Sequence, residues 1–231
     1  MEKMEYTKRN LGEIVAYDFR AASVFKEAGI DFCCGGKKLL DQACAEKKIE
    51  LATIVSKLQN LESTTVNAGQ NFNEWSLDFL ADYIMNTHHK YVVKTLPELV
   101  FYTQKIAAVH GEHHPELIEV AGLFEKINAE LLQHLKKEEE VLFPAIKKAL
   151  KNSSQETVDL IHSEIARMDG EHEFAGGAMD KINVITNQYS VPDDGCNTYQ
   201  VTFKLLQQFE DDLHIHVHLE NNILFPKALQ L

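Results

Sequence analysis

The chain has 231 residues, 45% of them hydrophobic, and a formal net charge of -12. Its length and apolar content suit one or two globular domains with a real core. The acidic balance argues against nucleic acid as a partner, because phosphate contacts need clustered Lys and Arg, and no apolar run approaches the ~20 residues of a membrane span.

The first stretch, MEKMEYTKRNLGE, lacks the apolar core of a signal peptide, so a cytoplasmic location is expected. Residues 10–60 hold short amphipathic segments: LGEIVAYDFRAASVFKEAGI, with Gly29 as a C-cap, then KKLLDQACAEKK and ELATIVSKLQNLE. Together, residues 1–61 read as a small helical domain. Between the first two segments lies DFCCGG, where Cys33 and Cys34 are adjacent. Neighbouring cysteines strain a disulfide well away from its ordinary geometry, and four cysteines in a chain this long do not make a disulfide framework. Residues 62–74, ESTTVNAGQNFNE, are polar and without period, and read as a linker.

Residues 75–231 hold four long helical segments, from about Ser76 to Val109, Pro115 to Lys151, Ser154 to Gln188 and Thr198 to Leu229. The connections HGEHH and YSVPDDGCN are short, which favours antiparallel neighbours and an up-down four-helix bundle. Pro97 falls inside the first segment, where a kink is expected; Pro144 and Pro226 lie near the ends of the second and fourth. Trp75 reads as packing at the start of the bundle.

An internal repeat carries the chemistry. Residues 134–144, HLKKEEEVLFP, and 216–226, HVHLENNILFP, both fit H-x-x-x-E-x-x-[VI]-L-F-P at an offset of 82 residues. His89 lies 83 residues before His172, so the first two segments resemble a unit repeated as the last two. On a helix, i and i+4 lie about 6 Å apart along the axis and on one face. His134 with Glu138, and His216 with Glu220, can therefore each aim a pair of ligands at one site, with His89 and His172 completing four imidazoles and two carboxylates. His88 and His89 are successive, so only one is expected to face the core centre. Imidazole and carboxylate without thiolate suit iron or manganese. Six ligands exceed the needs of one open site and suit two metals, each with two histidines, bridged by both glutamates and a solvent oxygen. Binding metal also removes the cost of burying two carboxylates. His214 and His218 should point elsewhere; His110, His113 and His114 read as loop residues, His162 as surface, and Glu171 as a supporting or proton-relay group.

These residues carry a resemblance. The HH-x-Y element at His88–Tyr91, the repeated His/Glu motif and the Glu171–Glu173 EHE element are similar to hemerythrin-like domains. Residues 9–60 with DFCCGG resemble the N-terminal domain of the iron–sulfur cluster repair proteins, known as RIC, ScdA or YtfE. The resemblance implies an all-α, hemerythrin-like up-down four-helix bundle with a small N-terminal helical domain. It implies two non-haem irons, oxo- and carboxylate-bridged, with His89, His134, His172 and His216 as terminal ligands and Glu138 and Glu220 as bridges. Oxygen-carrying hemerythrins usually have a fifth His and an Asp, a departure that disfavours reversible oxygen carriage here. The implied role is repair of clusters damaged by nitric oxide or peroxide, with the damaged iron–sulfur proteins as clients, NO or O2 as small ligands, and a homodimer as the assembly. Reductive coupling of NO and gas sensing or storage are the alternatives. Cys33 and Cys34 are candidates for iron transfer or thiol chemistry, Gly35 and Gly36 for close approach of a partner, Lys37 and Lys38 for lowering a thiol pKa, and Arg20 for either a structural or a functional part.

Overall fold

A computed structural model describes residues 5–62 and 71–231, the side chain of Glu62 excepted. The described residues are helical, with one isolated antiparallel bridge between Asn10 and Leu39. They form two compact units, Met1–Leu80 with Val217–Leu231, and Ala81–His216.

In the first unit, α1 (Leu11–Tyr17), α2 (Ala21–Glu27), α3 (Leu40–Lys47) and α4 (Leu51–Glu62) surround a core of Leu11, Ile14, Phe25, Leu40, Ile54 and Leu58. A capping box starts α1: Asn10 accepts from the Glu13 amide, and Glu13 from the Asn10 amide. Gly29, at φ +63°, takes the left-handed turn after α2 that the sequence assigns to it. Arg20 is structural in this unit. Its guanidinium donates to Asp18 at 2.7 Å and to the Leu61 carbonyl at 2.8 Å, tying the α1–α2 corner to the end of α4. Residues 63–70 of the expected linker lie outside the described residues; Phe72–Glu74 form a 3-10 turn, where Trp75 packs edge-on between Phe72 and Phe79.

The long segments follow. The first is α5 (Leu77–Ile84), a π turn (Met85–His89) and α6 (Lys90–His110); the second is α7 (Glu116–Lys137), a π turn (Glu138–Leu142) and α8 (Phe143–Lys151). The third is α9 (Gln155–Ile185), and the fourth is α10 (Asn197–Leu219), a π turn (Glu220–Leu224) and α11 (Phe225–Ala228). In α7 the buried stripe runs Leu117, Val120, Phe124, Ile127, Leu131, then His134 and Glu138. This alternation of three and four residues is the period of one helix face. Phe209 of α10 packs on Phe124 of α7 and Tyr91 of α6, which closes the core of the second unit. α6 continues through Pro97, which lies on the solvent face. There the carbonyl freed by the missing N–H can reach water.

The two LFP motifs set two of the three π turns. Pro144 and Pro226 have no N–H and cannot donate one turn back. The preceding amides reach one residue further: Phe143 donates to the Glu138 carbonyl, and Phe225 to the Glu220 carbonyl. The wide turns therefore begin at the two repeated glutamates.

Candidate metal centre

The candidate ligands are the continuation of the core stripes. His89, His134, Glu138, His172, His216 and Glu220 are each at most 2% exposed. Within the second unit, the donor atoms of His89, Glu138 and His216, and those of His134, Glu138 and His172, form two groups, each with all atoms within 4.8 Å of one another. Glu138 belongs to both groups. Within the second unit, one Glu138 oxygen lies 3.4 Å from His89 Nε2 and 3.3 Å from His134 Nε2, while His134 and His172 face each other Nε2 to Nε2 at 3.0 Å. The His89 and His216 ring centroids are 4.9 Å apart. Glu220 stands one turn beyond His216 on the same continuous helix.

Outer carboxylates fix the rings. His89 Nδ1 bonds Glu139 at 2.8 Å, and His134 Nδ1 bonds Glu171 at 2.8 Å. A carboxylate that accepts Nδ1–H leaves the Nε2 lone pair facing inward, the tautomer a metal needs. Burial works against the Glu171 charge, but Lys137 and His134 outweigh it and hold its carboxyl below the usual value. Buried imidazoles and carboxylates, converging without thiolate, form a donor set that fits metal binding. Glu139→Ala and Glu171→Ala are each expected to lower metal affinity about 10–100-fold with the ligands intact. Competition against a chelator of known strength measures this, and unchanged affinity in both would deny the two carboxylates this role.

His88 departs from expectation. It is also buried, at 3% exposure, with Nδ1 on Asp212 at 2.9 Å and its ring stacked on His216. Its sequence signal was hidden by the adjacent His89. Asp212 and Glu139 carry no sequence signal of their own, because acids in charged runs read as solvated. A surface cleft of about 380 Å³ reaches His89 and is edged by Lys90, Lys94 and Glu139.

The cysteine pair lies in the first unit. Neither cysteine is in a disulfide; their sulfurs lie 3.9 Å apart, and with Asp31 they form a further group of convergent donors. Asp31 accepts from the Cys33 thiol at 3.0 Å and from the amides of Cys33 and Gly35. The Cys34 contact first, then burial and Asp31, push the Cys33 thiol up. Lys38 is turned instead to Glu46. The glycines also serve the chain itself. Asn222, two residues past Glu220, donates to the carbonyls of Phe32 and Cys33 at 3.3 and 3.2 Å. A Cβ on Gly36 would come within 2.3 Å of its side-chain oxygen. His218 is buried between Phe19 and Phe32, and burial lowers its pKa to about 3, so the ring is neutral, with Nδ1 3.2 Å from the Asn222 amide nitrogen.

Cys196 is exposed, with its sulfur 3.2 Å from His110 Nε2. His110, helped by the amides of Tyr199 and Thr198, brings its pKa down to about 7. At neutral pH, iodoacetamide is expected to label Cys196 first and buried Cys33 last. Peptide mapping reads the order, and prior labelling of Cys33 would contradict it.

Residues 7–62 match the ScdA_N family model, described as a domain of unknown function, and residues 80–228 match the hemerythrin HHE cation binding domain. A Haemophilus influenzae protein named probable iron-sulfur cluster repair protein is 36% identical over 229 residues, 98% of this chain and 99% of that one. The iron-sulfur cluster repair protein ScdA of Staphylococcus epidermidis is 32% identical over 96% of this chain and 99% of its own. The Dickeya chrysanthemi iron-sulfur cluster repair protein YtfE is 33% identical over 98% and 99%.

Proposed function

The chain belongs to the iron–sulfur cluster repair family of ScdA and YtfE proteins, and from that premise we propose that it restores damaged clusters by handing over iron held in the bundle. In this reading His89 and His216 bind one iron, His134 and His172 the other, and Glu138 and Glu220 bridge them. The observation that carries it is the sharing of the buried Glu138 carboxylate between two donor groups. Two non-haem irons held there would supply a store of transferable iron.

The protein's own groups favour release on one side. The cleft at His89 gives solvent a path to one ligand, and the Glu139 carboxylate, 41% exposed at that point, offers a leaving ion its next oxygen. Asp31, Cys33 and Cys34 offer a further place for iron in transit. The clients are proteins whose clusters have lost iron. The test is an anaerobic incubation of iron-loaded protein with an oxidatively inactivated cluster dehydratase. Recovery beyond that given by an equal amount of free iron supports donation; equal recovery rules it out. Cys33→Ser/Cys34→Ser is expected to slow recovery without changing iron content, and full recovery would leave the pair a structural part only.

The Glu138 carboxylate shared between two donor groups also favours a second reading. Two irons held by shared carboxylates would bring two NO molecules together for reductive coupling. Single-turnover formation of nitrous oxide by the reduced protein supports that reading, and a stable nitrosyl adduct without nitrous oxide opposes it.

A further inference from the structure

We infer that α9 and α10 carry a second cation site, formed by Asp180, Glu210 and His214, that takes one divalent transition ion of the manganese, ferrous or zinc kind. The donor atoms of these three side chains lie within 4.8 Å of one another. Glu210 and His214 stand one turn apart on α10, the spacing that lets a carboxylate and an imidazole address one ion. Asp180 reaches in from α9. None of the three belongs to the two groups of the main centre. Along α9, Asp180 is eight residues past His172, about 12 Å along the axis.

Two features point to a bound ion rather than a solvated cluster. Glu210 is only 6% exposed, and among the described residues no lysine or arginine pairs with it. Its carboxylate accepts one amide bond, from Asn183 at 3.0 Å, and burial raises its pKa against the pull of His214. A carboxylate so placed is costly unless a charge or a metal meets it. The second feature is Tyr189. It is 8% exposed, packed edge-on against Phe203, and its buried hydroxyl closes no well-formed hydrogen bond, with Glu210 and Asn183 as its polar neighbours. After burial itself, the main influence on that hydroxyl is Glu210, which places it beside this carboxylate. Asp180 is exposed and His214 half-buried, so the group opens to solvent.

The donor set, one imidazole and two carboxylates, suits a borderline or moderately hard divalent ion and offers nothing to a soft one. The inference stands apart from iron donation, because it concerns different residues and can be read without any repair activity.

The test is a manganese(II) titration of the full-length, iron-loaded protein, with free manganese followed by EPR and iron content followed in parallel. Wild type is expected to remove one equivalent of manganese from the free signal without losing iron. Asp180→Asn, an exposed change, and Glu210→Gln, which keeps the shape, are each expected to weaken that uptake roughly tenfold or more. Glu138→Gln is expected to retain it, which separates this site from the main centre. No uptake by wild type, or equal uptake by wild type and Asp180→Asn, would overturn the inference. Should Glu210→Gln melt early, Asp180→Asn still decides.

Discussion

Glu138→Gln is expected to empty both halves of the centre at once. One Glu138 oxygen stands within 3.4 Å of both His89 and His134, and the carboxylate belongs to both donor groups. Glutamine keeps the volume but replaces a charged, two-oxygen ligand by one carbonyl and an amide that donates. Metal content should fall to roughly a tenth of wild type or less, because a shared ligand carries both sites. His89→Gln, by contrast, touches one group and should spare part of the metal. Stability gives an independent reading. Metal that binds the folded state stabilises it by mass action, so a chelator should lower the melting temperature of wild type. It should leave Glu138→Gln almost unmoved. The metal-free variant should also melt no lower than metal-free wild type, since it buries one carboxylate fewer. Full metal content in the variant would remove Glu138 from the centre.

Gly36→Ala is expected to unseat the DFCCGG segment. Gly12 and Gly36 both close on Asn222, where a Cβ would come within 2.1 and 2.3 Å of its side-chain oxygen. Asn222 cannot turn aside freely. Its amide holds the Phe32 and Cys33 carbonyls, and turning the side chain away from Gly36 breaks those bonds. Losing those bonds leaves partly buried carbonyls unpaired, at about 1–3 kcal/mol. In a chain of this size that lowers the melting temperature by about 2–4 °C per kcal/mol. Asn222→Ala should cost a similar amount by removing the same bonds. The double variant Gly36→Ala/Asn222→Ala should cost clearly less than the sum, because the clash and the lost bonds are one event. Thermal unfolding of the three variants checks this, and simple additivity would break the link between the segment and Asn222.

The sequence made the helices and the buried His and Glu positions legible for one reason. His134, Glu138, His172 and His216 continue apolar stripes of three-and-four spacing, and the 82-residue repeat marks the same positions twice. The ends of the long segments fall close to those seen, because Ser154 and the Gly-, Asp- and Pro-rich connections mark them chemically. The π turns were not legible. A proline near a helix end reads as a simple stop, and the longer bond from Phe143 to Glu138 follows only once the helix continues past it. The supporting carboxylates were half visible. Glu171 drew notice beside His172, whereas Glu139 sat in KKEEE and Asp212 between charges and apolar residues, with nothing to separate them from a wet face. The glycines of DFCCGG suggest approach by another molecule. Gly35 instead faces Asp31, and Gly36 faces Asn222 of the same chain, 186 positions away, a pairing no local pattern could carry.

The most direct test of the two-metal centre is anaerobic iron loading followed by metal analysis and EPR of the oxidised and one-electron-reduced protein. The account predicts two irons per chain, silent when oxidised and giving a coupled mixed-valent signal after one electron, with both features lost in Glu138→Gln. One iron per chain with the signal of an isolated ferric ion would contradict it.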